Sequence, residues 1–182
     1  CHLVFGKDRI EELPKIISKF GKKVLLTYGG GSIKRTGLYD KVKSLLVDCE
    51  NFELSDIAPN PKISSVRAGV DICKRENVDV ILAVGGGSVI DASKNISAGF
   101  GYDGDPWDLV LDASKIDKVL PIVTVLTLSA TGSEFDNSAV ISNSDTNEKL
   151  PLFGAGKLDP AYSICDPQYT YTVPANQTAA GA

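Results

Sequence analysis

The tetrapeptide Gly-Gly-Gly-Ser occurs twice, at Gly29–Ser32 and Gly85–Ser88, each time directly after a short apolar run. Val24–Tyr28 leads into the first copy and Val78–Val84 into the second. A strand that ends in glycines and a serine, then becomes a helix, presents bare backbone N–H groups to an anion. That arrangement holds phosphate at a helix N-terminus. Two such turns point to a ligand with more than one phosphate, and hence to a nucleotide cofactor. The copies lie 56 residues apart as a weak internal repeat, which two strand–helix units under one local constraint explain as well as duplication does.

Periodicity supplies the frame around these turns. Ile10, Leu13, Ile17 and Phe20 recur at helical spacing, with Asp8 and Glu11 spaced as a capping box and Pro14 set to delay or bend the helix. Leu38, Val42, Leu45 and Leu46 predict a second helix, Ile63, Val66, Val70 and Cys73 a third, and Val89, Ala92 and Ile96 a fourth ending near Gly99. Strands are expected at Val4–Gly6, Phe52–Ile57, Ile122–Leu126 and Tyr162–Cys165, with a hairpin of Ala139–Ser142 and Lys149–Phe153. Asp103–Asp117, which carries the only tryptophan, Trp107, reads as polar and irregular. The alternation predicts an α/β fold, a Rossmann-like parallel sheet with helices on both faces. With no hinge-like linker, residues 1–182 read as one domain.

Composition narrows the classes. The 182 residues suffice for a sizeable core, and 43% hydrophobic with 23% charged residues is ordinary for a globular chain. A net charge of -4 argues against a general nucleic-acid surface, and no apolar run approaches the roughly 18 residues of a membrane span. Cys1, Cys49, Cys73 and Cys165 are widely spaced, which suits buried free thiols in a reducing cytoplasm. The chain opens Cys1-His2, has no methionine, and stops at Thr178–Ala182 in what reads as the first turn of a helix. It is therefore expected to be a fragment with a further domain downstream.

Gly86 and Gly87 would let a backbone approach a pyrophosphate; Ser88 can cap the helix or donate to a phosphate oxygen, and Asp91 follows one turn in. The motif is not Gly-x-Gly-x-x-Gly, so a tight turn that binds nothing stands as the alternative. Beside the first turn lie Lys34 and Arg35, and the first downstream acid is Asp40. NAD-preferring folds commonly place an acid near that strand end, so this loop tolerates a 2′-phosphate or is simply a solvated basic loop. The hydroxyls of Thr127–Glu134 suit a ribose or carboxamide, or only a Ser/Thr-rich loop. The one histidine is His2, and no metal-ligand spacing or Gly-x-Ser-x-Gly elbow occurs, so no catalytic or metal residue is assigned. Asp136, Asp145 and Asp159 read as solvated loop carboxylates.

Gly29–Asp40, Asn60-Pro61, Gly85–Asp91, Leu126–Glu134 and Asp166-Pro167, in that order, resemble the iron-containing (group III) alcohol dehydrogenases. The likeness is strongest to the butanol dehydrogenase-like, NADPH-dependent aldehyde reductase branch and covers essentially the whole chain. The resemblance implies a dehydroquinate synthase-like N-terminal cofactor domain without its helical C-terminal partner. By that similarity Gly30, Gly31 and Ser32 lie at the adenosine ribose and its 2′-phosphate, and Asn60 at the adenine side. Gly86, Gly87, Ser88 and Asp91 hold the pyrophosphate and neighbouring ribose; Thr127, Leu128, Thr131 and Ser133 line the rest, with Lys149 near a ribose. Glycine at position 30, where NAD-preferring branches have an aspartate, favours NADP(H) over NAD(H). The complete enzyme would carry a divalent metal, iron or zinc, on ligands absent from this chain. It would pass a hydride between nicotinamide and a small alcohol or aldehyde, with a homodimer among the expected states. A glycerol dehydrogenase-like or dehydroquinate synthase-like relative, or a non-catalytic nucleotide-binding module, are the alternatives.

Overall fold

A computed structural model of the chain describes residues 1–154 and 156–181. Six parallel strands build one sheet: β1 (His2–Phe5), β2 (Lys23–Gly29), β3 (Glu50–Ile57), β4 (Val80–Gly85), β5 (Ile122–Leu126) and β8 (Tyr162–Cys165). Their order across the sheet is β1-β8-β5-β4-β2-β3. β6 (Ser138–Asn143) and β7 (Glu148–Phe153) pair separately as the expected antiparallel hairpin. The central strands β4 and β5 are buried at every position. Continuous apolar runs of this kind mark strands covered on both faces.

Alternate strand residues serve opposite faces. Val24, Leu26, Leu82, Val84, Val123 and Val125 pack with α1 (Leu13–Ile17), α2 (Ser32–Arg35) and α3 (Leu38–Leu45). Leu25 and Ile81 pack on the other side with α4 (Ile63–Glu76), α5 (Gly87–Gly99) and α6 (Pro106–Leu111). Each fully buried Val, Leu or Ile contributes on the order of 1.5–3 kcal/mol. The predicted stripe Ile63, Val66, Val70 and Cys73 is wholly buried. Helices thus cover both faces, as the sequence pattern predicts.

Several local expectations fail. Asp8 and Glu11 form no capping box: Asp8 sits in the left-handed region (φ 60°) without a side-chain cap, and its carboxylate accepts from Gln168 instead. A short 3₁₀ turn, Arg9–Glu12, precedes α1, and Glu11 pairs with Lys41. Asp103–Asp117 is not irregular throughout. Asp105 caps α6 by accepting from the Trp107 amide at 2.8 Å, and Pro106 opens the helix. That pairing of a cap with a first-turn proline starts a helix too short to show periodicity. Trp107 and Leu109 then bury beneath it. Of the cysteines only Cys73 is buried; all four are free thiols. Helix α7 (Ala175–Gly181) takes up the expected final turn, while Ala182 lies outside the described residues.

Candidate functional site

β2 and β4 are neighbours, with Tyr28 opposite Val84, so the two Gly-Gly-Gly-Ser turns stand side by side at the carboxyl edge of the sheet. The helices that follow them diverge: α2 and α3 pack on one face, α5 on the other. This is a topological switch point, where open α/β sheets leave a crevice for ligands. β5 lies beyond β4, which brings the Thr127–Ser133 loop in as the third member of the row. A cleft of about 490 Å³ opens there, lined by Ser32, Gly86, Thr127 and Leu128 among the expected residues. Arg35, other residues from Ile33 to Leu38, and parts of the chain between Tyr169 and Gln177 form the rest of its wall.

Gly86 is the extended residue that starts α5, and its carbonyl accepts from Val89 and Ile90. The N–H groups of Gly87 and Ser88 are therefore left without helical partners, as at any helix start. No side chain caps this end, so Ser88 does not act as the cap. A Cβ on Gly86 would stand 3.3 Å from Leu128 Cβ, and one on Gly87 would overlap the Thr131 hydroxyl. The glycines at this turn therefore make room for the loop after β5. Gly31 opens α2 with φ 96°, and neither it nor Gly30 has any atom within 4 Å of a Cβ position. The first turn is open where the second is crowded.

Asp91 is committed to the fold. Its Oδ1 accepts from the Ser133 hydroxyl at 2.6 Å and its Oδ2 from the Val140 amide at 3.0 Å. Burial pushes its pKa above the usual carboxylate range, although those two bonds and Lys94 pull the other way. Thr131 Oγ1 accepts weakly from the Ser133 amide (3.4 Å), and the Thr127 amide donates to the Gly85 carbonyl, tying loop to turn. Lys149 and Asn60 meet each other across 89 residues, Nζ donating to Oδ1 at 2.6 Å, with Asn60 in the left-handed region. Neither lines the cleft.

Beside the first turn, Glu53 accepts from the Tyr28 and Tyr39 hydroxyls and from Lys43, all within 2.9 Å. Burial raises the Glu53 carboxyl, but these donors outweigh it and hold it below its usual range. The same bond to Glu53 pushes the Tyr39 phenol up to about 12. Lys34 rests over the Tyr28 and Tyr39 rings, 5.1 and 4.9 Å from their centroids. Lys34 is thus exposed while lying against two aromatic faces.

The sequence reading missed Lys94, Asp136 and the Tyr169–Gln177 wall. Asp136 is not simply solvated: it pairs with the fully buried Lys94 at 2.6 Å. Burial raises the Asp136 carboxyl, yet the bonds from Lys94 and Ser138 more than offset it and hold it low. Asp145 and Asp159 are exposed as expected, Asp145 reaching Arg67 only at 3.5 Å. The available signal was the placing of Lys94 three residues after Asp91, on one face of a helix otherwise built from small and apolar residues. Among the described residues no three His, Cys, Asp or Glu side chains group to hold a metal ion, and no helix is long and apolar enough to cross a membrane.

Comparisons with known proteins agree with this architecture. NADH-dependent butanol dehydrogenase A of Clostridium acetobutylicum is 56% identical over 179 residues, spanning 97% of this chain and 46% of that protein. NADPH-dependent aldehyde reductase YqhD of Escherichia coli is 40% identical, over 98% of this chain and 46% of that one. The crystal structure of NADH-dependent butanol dehydrogenase A from Thermotoga maritima superposes with a TM-score of 0.94 at 43% identity, covering 99% of this chain and 46% of its own. The chain thus spans about half the length of the relatives it matches. The sequence profile of the iron-containing alcohol dehydrogenases matches residues 2–167, and the chain belongs to that family.

Proposed function

We propose that residues 1–182 form the dinucleotide-binding domain of an alcohol dehydrogenase or aldehyde reductase, and that the chain binds NADP(H) across the carboxyl edge of its sheet. One observation carries this: the turns Gly29–Ser32 and Gly85–Ser88 and the Thr127–Ser133 loop stand in a row over the switch point. In this reading the adenosine half lies over β2, the pyrophosphate meets the bare N–H groups of Gly87 and Ser88, and the other half runs along the loop after β5. The crowding behind Gly86 and Gly87 and the open space at Gly30 and Gly31 fit such a ligand. When bound, the cofactor supplies or accepts the hydride. The chain's own residues bind and orient it, with Asn60 assigned to the adenine side and Lys149 to a ribose, although the two bond to each other outside the cleft in this structure. The family's metal finds no donor set among the described residues, so no step is routed through one.

Open space at Gly30, with Lys34 and Arg35 close behind on α2, leaves room and positive charge for a 2′-phosphate. NADH is the second reading, favoured by the name of the Clostridium acetobutylicum relative. The substrate class, a small alcohol or aldehyde, rests on the family and on the relatives' names. Calorimetric titration of the chain with NADPH and NADH tests both points. Tighter NADPH binding is expected; tighter NADH binding overturns the Gly30 argument, and binding of neither overturns the site.

A further inference from the structure

Lys94 has a fully buried side chain in the middle of α5, below the turn that starts at Gly86. Its ammonium donates to the Asp136 carbonyl at 2.7 Å, the Asp136 carboxylate at 2.6 Å and the Ser138 carbonyl at 2.8 Å. A lysine has three N–H donors, and here all three are used. One turn earlier Asp91 takes Ser133 and the Val140 amide. Two side chains on one helix face thus make five bonds to residues 133–140. From the far side, the Ser163 hydroxyl donates to the Glu134 carbonyl at 2.5 Å.

Hydrocarbons in place of the whole Lys94–Asp136 pair would carry no charge to desolvate, and such replacements are often neutral or stabilising. The ammonium contributes direction instead, fixing three oxygens of one short segment. That segment is the downstream anchor of the loop after β5; its upstream anchor is the bond from the Thr127 amide to the Gly85 carbonyl. Between the anchors, residues 129–132 are exposed, and Gly132 turns the chain with φ 72°. The arch that carries Thr131 against Gly87 therefore takes its shape from its two ends.

We propose that Lys94 is a positioning residue for the cofactor: with Asp91 it clamps the loop after β5 onto α5, so that Thr131 and its neighbours meet the dinucleotide in one geometry. This rests on the dinucleotide reading above. Lys94 acts through Asp136 and Ser138 and, being wholly buried, touches no ligand. Its influence falls on the half of the cofactor that runs along the loop after β5. The adenosine half, held over β2, lies outside its reach.

The test compares NADPH with 2′,5′-ADP, which carries only the adenosine end, by calorimetry on the 182-residue chain. Lys94→Met and Asp136→Ala are expected to weaken NADPH about tenfold, the scale of one lost hydrogen bond to a charged group, and to leave 2′,5′-ADP unchanged. A purely structural role would lower the melting temperature and leave the ratio of the two affinities where it was. An unchanged ratio in a folded variant overturns the proposal. Should Lys94→Met fail to fold, the double variant Lys94→Met/Asp136→Ala, which leaves neither charge without its partner, decides alone. If the unaltered chain binds neither ligand, it is the dinucleotide reading that fails, not the clamp.

Discussion

Replacing Gly87 with alanine tests how the second glycine turn is built. The added Cβ would overlap the Thr131 hydroxyl and stand 3.2 Å from its methyl carbon and 3.3 Å from its Cβ. The hydroxyl has to retreat about 1 Å to reach ordinary contact. Overpacking of this size costs about 1–3 kcal/mol. Gly87 is the first residue of α5, so alanine there recovers about 0.5–1 kcal/mol of helix preference. A net loss of roughly 0–2.5 kcal/mol is expected, visible as a melting temperature lowered by a few degrees at the middle of that range. Thr131→Ala removes the hydroxyl and methyl and leaves only the Cβ at 3.3 Å. The double variant should therefore melt close to Thr131→Ala alone, and the coupling between the two sites should be large and favourable. Dinucleotide affinity should fall in Gly87→Ala and recover in part with Thr131→Ala. Additive melting shifts, with no rescue, would refute the claim that Gly87 is glycine because of the loop.

Gly30→Asp adds a carboxylate in open space beside the first turn. It should weaken NADPH about tenfold or more while sparing NADH, read by fluorescence titration of both. The pH response of stability carries two opposed contributions. Asp136 has a lowered pKa, so its stabilisation is present above the unfolded carboxylate range and disappears as pH falls through its own lower value. Asp91 has a raised pKa, so its contribution declines as pH rises from the unfolded value to the raised one. Asp136→Asn should accordingly flatten the acid limb of a urea-midpoint profile, and Asp91→Asn should steepen it. Glu53→Ala strips Tyr28, Tyr39 and Lys43 of their shared acceptor, and the urea midpoint should report a loss of about 1–3 kcal/mol, nearer the low end because Glu53 is partly exposed.

The strands and long helices were readable because their cause is local. Val80–Gly85 is continuously apolar since both its faces are covered, and Ile63–Cys73 carries a stripe because only one face is. The glycine turns were readable for the same reason: the backbone conformation at Gly31 excludes most side chains. Partnerships across the chain were not readable. Lys94 and Asp136 are 42 residues apart, and nothing near either one announces the other. The use of Asp91 and Ser133 on each other is likewise a fact of topology, since β5 returns beside β4 and brings its loop over α5. The capping box failed because a residue 160 positions away offered Asp8 a different partner.

The pairing of β1 with β8, His2 opposite Tyr162 and Phe5 opposite Cys165, sets a timetable for a chain emerging from a ribosome. At about 5–20 residues per second β1 waits roughly 10–30 s before β8 is synthesised. β2, β3 and β4 meet far sooner, because they neighbour one another in both chain and space. During that interval Leu3 and Phe5, exposed even in the finished fold, lie on an unpaired strand open to any passing edge. β1, made long before β8, is thus among the last of these strands to be placed, and its edge stays open until β8 arrives.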